Sequence, residues 1–160
     1  MNSEISRLAS LIVTKATASG IKIGFADSLT GGMISSCIVS VPGASSCLEG
    51  SVVSYSNEVK EGLLNVDPDV IREHGAVSEP CAMQMASGAR KALGTDIAVS
   101  VTGIAGPSGG SDRKPVGTVY IGYSSKDDCF AEHFVFEGDR DAVREQTVLT
   151  AYRILLQHIV

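Results

Sequence analysis

A serine, a lysine and a run of glycines, each beside a turn out of an apolar segment, are the groups in this chain with the chemistry to act on a ligand. The serine is Ser28, within Ile21 to Gly32 (IKIGFADSLTGG), where an apolar strand pattern ends and an amphipathic helical pattern begins at Met33. Free backbone N–H groups and the positive end of a helix dipole meet at such a corner, so it is an anion site with a nucleophile beside it. Ser28 and Thr30 serve equally well as plain helix caps. The lysine is Lys60, which with Tyr55 brackets the start of a short helix capped by Ser56 or Asn57. The dipole disfavours a cation in a first turn and burial disfavours it further, so Lys60 has a physical reason to lose its proton and serve as general base to a serine. Tyr55 would then relay or donate a proton. An exposed lysine of ordinary pKa is the alternative.

The glycines are Gly103, Gly106, Gly109 and Gly110, in Thr102-Gly-Ile-Ala-Gly-Pro-Ser-Gly-Gly110. They follow the end of the apolar run Asp96 to Val101, and open α/β sheets bind ligands at that end of a strand, where glycine lets backbone approach closely. A mobile run of turns is the other reading. The loop is neither a Walker A sequence nor G-x-G-x-x-G, so ATP and dinucleotides are not indicated. Arg140, at the start of the last helical segment, offers a guanidinium beside free N–H groups that together would hold a phosphate; its neighbours Asp139 and Asp141 offer a surface ion pair instead. No Ser-His-Asp set stands at triad-like positions and G-x-S-x-G is absent, so a serine hydrolase here would have to use lysine.

Composition narrows the classes further. The chain has 160 residues, enough for one domain with a full core and too few for two, and residues 1–160 are read as one domain. With 44% hydrophobic and 19% charged residues it is neither disordered nor a coiled coil. A net charge of −5, few aromatics and no Trp argue against a nucleic-acid partner. Cys37, Cys47, Cys81 and Cys129 share no C-x-x-C spacing and read as reduced thiols. His74, His133 and His158 make no ligand motif, so no metal is expected. Without a signal-like N-terminus or a long apolar run, the expectation is a cytoplasmic protein with no membrane partner.

The elements that would position these groups follow from periodicity and punctuation. A first helix, capped by Asn2 or Ser3, shows Ile5, Leu8, Ile12 and Ala16 on one face and stops at Gly20. A strand from Ile21 and a helix over Met33 to Val39 follow. A strand from Leu48 to about Tyr55 then gives way to the Lys60 helix, and a short helix starts at Asp67-Pro68. Ser78-Glu79-Pro80 opens a helix with Ala82, Ala86, Ala89 and Leu93 on one face. Asp96 to Val101 is a central strand; Val116 to Tyr123 and Cys129 to Phe136 form an antiparallel hairpin; and a last helix buries Val148, Ala151, Tyr152, Leu155 and Ile159. The sum is an α/β protein, a three-layer α/β/α sandwich with a mixed β-sheet. Phe130, Phe134 and Phe136 would either cover a partner subunit in a symmetric homodimer or lie under the last helix.

In this order, six blocks resemble the CinA C-terminal domain family, the bacterial nicotinamide-nucleotide amidases. They are Ala26-Asp-Ser-Leu-Thr-Gly-Gly32, Tyr55-Ser-Asn-Glu-Val-Lys60, Gly75-Ala-Val-Ser-Glu-Pro80, Thr102-Gly-Ile-Ala-Gly-Pro107, Lys114-Pro-Val-Gly-Thr118 and Gly138-Asp-Arg-Asp-Ala142. The resemblance implies hydrolysis of the carboxamide of nicotinamide mononucleotide to nicotinate mononucleotide and ammonia, without a cofactor. It implies Ser28 as nucleophile, Lys60 and Tyr55 as its activating partners, and Thr102 and Arg140 as further contacts to a small nucleotide substrate. Backbone N–H groups of Thr30, Gly31 and Gly32 would steady the oxyanion, and Gly103, Gly106 or Arg140 would hold the phosphate. Family members often read Glu-Ser-Cys-Thr-Gly-Gly, where this chain has Asp27 and Leu29, and they also occur fused behind another domain. A binding module that keeps the pocket without turnover, and an amidase for another small amide, are the alternatives.

Overall fold

A computed structural model describes residues 2–159. Its elements are α1 (Ser3–Ser19), β1 (Ile23–Asp27), α2 (Met33–Val39), a single 3-10 turn (Ala44–Ser46), β2 (Leu48–Val53), α3 (Asn57–Leu64), α4 (Pro68–His74), α5 (Glu79–Leu93), β3 (Ile97–Gly103), β4 (Thr118–Ser125), β5 (Cys129–Val135) and α6 (Arg140–His158). The strands form one sheet in the order β2-β1-β3-β4-β5, with β1 parallel to both β2 and β3 and the β4–β5 hairpin antiparallel. The expected mixed sheet and three-layer sandwich are what the chain adopts.

The side-chain alternation of the strands decides what packs on each face. Ile23 and Phe25 of β1, Ile97, Val99 and Val101 of β3, and Val119, Ile121 and Tyr123 of β4 all point to the side covered by α1, α2 and α6, forming the larger core. Most of the opposite positions are small, among them Gly24, Ala26, Ala98, Ser100 and Gly122. That face takes α5, with α3 and α4 beside it, around a smaller core of Leu64, Val66, Cys81, Met85 and Ala89. A methyl group on Gly122 would fall on the Ala82 carbonyl oxygen, and Ser100 donates its hydroxyl to the same carbonyl at 2.6 Å. The sheet and α5 therefore meet backbone to side chain with no room between them.

Local signals account for most element ends. Asn2, Ser56, Asp67, Ser78 and Asp139 each accept from a backbone N–H of the first turn they cap, and Gly20, Asn65 and Gly94 close helices in the left-handed conformation. One expectation shifts. The strand expected to reach Tyr55 ends at Val53, the partner of Asp27 at the end of β1, and the Ser54 N–H bond to the Asp27 carbonyl is the last of that ladder. Phe130, Phe134 and Phe136 are half-buried and pack against the larger core, with the Phe130 ring 5.4 Å from the imidazole of His158 in α6. Cys37, Cys47 and Cys81 are free and buried, whereas Cys129 is free and exposed.

Gly88 in α5 has no space for a Cβ, since an added methyl would lie inside the Leu64 carbonyl at the C-terminus of α3. Gly88→Ala gains about 1 kcal/mol of helix propensity but must push α3 away, and overpacking of this kind costs about 1–3 kcal/mol. The clash should win, lowering the urea midpoint. A midpoint that rises would show that α3 and α5 are not locked together.

Candidate active site

β1 and β3 lie side by side and parallel, and the ends of both open on one crevice. Ser28 follows β1 directly, and Thr102 and Gly103 finish β3. The crevice holds a cavity of roughly 320 Å³, at the lower end of the size range of small-molecule sites. Its walls come from the Ser28–Leu29 corner, Tyr55, Asn57 and Lys60, the Ala76–Val77 connector, the glycine-rich loop and Arg140.

Lys60 is the group around which the cavity floor is assembled. It is 1% exposed, and its Nζ lies 3.0 Å from Ser28 Oγ, 2.7 Å from the Ser54 carbonyl oxygen and 3.1 Å from that of Tyr55. The Ser56 cap sets α3 so that Lys60, whose N–H makes the helix's first bond to Ser56 O, faces inward. Burial pushes its ammonium pKa below the ordinary lysine value, against the smaller upward pull of the nearby Cys81 and Asp27. The two carbonyls can only accept, so they fix two Nζ hydrogens and leave the third tetrahedral position toward Ser28. As an amine, Lys60 offers its lone pair there; as an ammonium, it donates.

The turn that carries Ser28 is tied down by Asp27, which is wholly buried. Its carboxylate accepts from Thr30 N–H at 3.0 Å, from Gly32 N–H at 2.7 Å and from the Thr30 hydroxyl. Burial raises the Asp27 pKa, while those three bonds and the Arg144 guanidinium hold it down. Arg144 reaches the turn from α6, donating through Nε to Leu29 O at 3.2 Å and through Nη2 to Thr30 O at 2.9 Å. One helical turn earlier, Arg140 donates to Gly106 O at 2.8 Å and borders the cavity.

Several expected roles change with these contacts. Ser28 and Lys60 come together across 32 residues of sequence, whereas Tyr55 serves Lys60 through its backbone carbonyl, and its side chain stands at the rim, the residue being 65% exposed. Thr102 borders the cavity with its hydroxyl donated to Ala76 O at 3.0 Å, which fixes the 76–77 wall. Gly103 and Gly106 border the cavity as expected of them. The N–H groups of Thr30, Gly31 and Gly32 are not available to an oxyanion, because Asp27 and the Ser28 carbonyl already accept them, and none of the three residues borders the cavity. Ser54, Asp27 and Arg144 were not foreseen in these positions. The spacing of Arg140 and Arg144 on one helix face is the signal that points to the last.

Among the described residues no group of His, Cys, Asp or Glu side chains is placed to share a metal ion, and no helix is long and apolar enough to cross a membrane.

The chain matches the CinA C-terminal domain over residues 5–159. A CinA-like protein of Thermosipho melanesiensis is 48% identical over 138 residues, covering 85% of this chain and 34% of that protein. A CinA-like protein of Geobacter sp. strain M21 is 51% identical over 142 residues, covering 88% and 34%. The chain thus spans about a third of the length of these curated relatives. The crystal structure of the competence/damage inducible protein CihA from Agrobacterium tumefaciens superimposes with a TM-score of 0.96 at 34% identity, over 98% of this chain and 96% of that one. A CinA superfamily protein from Escherichia coli gives 0.93 at 28%, over 98% and 92%. With its fold matched end to end and its sequence matched from residue 5 to residue 159, this chain belongs to the CinA C-terminal domain family.

Proposed function

We propose that this chain is a serine amidohydrolase that cleaves the carboxamide of nicotinamide mononucleotide to nicotinate mononucleotide and ammonia. The observation that carries the reading is the buried Lys60 Nζ at 3.0 Å from Ser28 Oγ, opening on a cavity. A lysine kept out of water and deprived of part of its affinity for a proton is the base that a serine needs when no histidine is at hand.

The substrate class follows from what the cavity wall carries. Lys60 and Arg140 are its charged residues, with no carboxylate among the lining residues of a chain whose net charge is −5. That contrast favours an anionic ligand, and the glycine-rich loop with Arg140 gives a phosphate its donors. The family resemblance supplies the particular nucleotide.

In the reaction, Ser28 Oγ attacks the carboxamide carbon and Lys60 takes its proton. The C=O π electrons move onto oxygen, and the tetrahedral intermediate collapses as Lys60 returns that proton to the leaving nitrogen, releasing ammonia. Water then adds to the acyl-serine ester, with Lys60 again as base, and the carboxylate product departs. Amide and water enter; acid and ammonia leave.

Ser28→Ala should lower kcat for ammonia release by roughly 10⁴-fold or more, the scale of losing a nucleophile, with the mononucleotide still binding in a titration. Undiminished release would end the serine reading; binding without release in the unaltered protein would leave a nucleotide-binding module.

The pH dependence has a definite sign. Lys60 works as the amine, so kcat/KM should rise with pH through its lowered pKa and level off above it, and fall at lower pH as the ammonium forms. Lys60→Arg keeps a charge but gives up no proton near neutrality. It should be inactive at every pH tested, and an active Arg variant would remove proton transfer from the role of residue 60.

A further inference from the structure

The reaction just described puts negative charge on the carboxamide oxygen, yet the donors first expected to meet it are engaged elsewhere. Counting the N–H groups of the turn shows which one remains. Ser28 N–H goes to Val101 O at 3.0 Å, Thr30 N–H and Gly32 N–H to Asp27, Gly31 N–H to Ser28 O at 3.3 Å and Met33 N–H to Thr30 O at 3.2 Å. Ile34 N–H reaches the Thr30 hydroxyl at 3.4 Å. Among the described residues the Leu29 N–H finds no acceptor.

Its direction is fixed by the peptide on either side. The 28–29 bond is trans and its carbonyl is turned into the turn by Gly31, so the Leu29 N–H points the opposite way, out of the turn. Leu29 borders the cavity, and its side chain belongs to the larger core. The next peptide is clamped at both ends, Leu29 O by Arg144 and Thr30 N–H by Asp27. Arg144 itself does not border the cavity.

We propose that the Leu29 backbone N–H is the oxyanion donor of this site, and that Arg144 is the positioning residue that keeps it aimed at the reacting carbonyl. This rests on the serine amidase reading. As the Ser28 Oγ–C bond forms and the proton passes to Lys60, the electron pair left on the carboxamide oxygen is met by one preorganised N–H beside the nucleophile.

An amide-to-ester exchange at position 29, made by incorporating the α-hydroxy analogue of leucine, removes the N–H and leaves the side chain. It should lower kcat roughly 100- to 1,000-fold, the effect of losing one oxyanion donor, with KM little changed. Arg144→Lys, which can no longer span two carbonyls, should also lower kcat with KM little changed and rise only slightly in sensitivity to urea. A readout that needs no turnover uses pyridine-3-boronic acid, whose boron accepts the Ser28 oxygen lone pair while Lys60 takes the proton, giving a tetrahedral anion. In ¹⁵N-labelled protein the Leu29 amide should then move downfield more than those of Thr30 and Gly32, and less so in Arg144→Lys. An adduct on Ser28 with a stationary Leu29 resonance, or an ester variant of full kcat, overturns this proposal alone. No adduct on Ser28 and no loss of activity in Ser28→Ala overturn the serine reading, and this proposal with it.

Discussion

Everything in the site depends on keeping one lysine nitrogen dry beside one hydroxyl. Burying an ammonium without partners costs several kcal/mol, and the fold offsets this with two main-chain carbonyls rather than with a carboxylate at salt-bridge distance. The choice matters chemically. A paired carboxylate would hold Lys60 protonated and useless as a base, whereas neutral carbonyls tolerate both the amine and the ammonium it becomes. Asp27, close enough to raise the Lys60 pKa but spent on the Ser28 turn, adds a modest pull toward the charged form. The result is a group that burial drives to lose its proton and that its neighbours allow to take one back.

That arrangement reaches back into the sheet through a chain of close contacts. The small residues on one face of the sheet let α5 settle onto it, and Gly88 lets the end of α3 settle onto α5. Lys60 rides on α3, four residues before Leu64. From the other side, the Asp27 carbonyl receives Ser54 N–H at 2.7 Å, so the strand that ends at the Ser28 corner also places a carbonyl that holds Lys60. Ser28 and Lys60 are thus referred to the same residue, one through the chain that follows it and one across the ladder. The carbonyls that hold Lys60 and the bond that places one of them are backbone, while the Asp27 and Ser56 side chains fix the turn and the helix on either side.

Much of this was readable in the amino-acid order. The cap at Ser78, the stop at Gly20 and the alternating apolar runs pointed to the elements and the mixed sheet, because those signals act over a few residues. The pairing of Ser28 with Lys60 was legible only as two corners that needed each other. What stayed hidden were the long-range uses of the backbone. Nothing local to Tyr55 says that its carbonyl rather than its phenol meets Lys60, and nothing local to Thr30 or Gly32 says that their N–H groups belong to Asp27. Arg144 reads as an ordinary helix cation paired with Asp141, which it is at 3.3 Å, and only tertiary structure brings its other nitrogens to a turn 115 residues away.

The two positions where the corner departs from the commoner family pattern can now be weighed against what they touch. Asp27, in place of a longer glutamate, reaches three donors of the turn immediately after it, so a short side chain suffices when the donors are adjacent in sequence. Leu29, in place of cysteine, turns its side chain into the larger core, where extra methyl groups add buried apolar surface. Neither side chain has to enter the cavity to do this. Both changes alter the footing of the turn and leave the Ser28 hydroxyl in place beside Lys60 at the cavity.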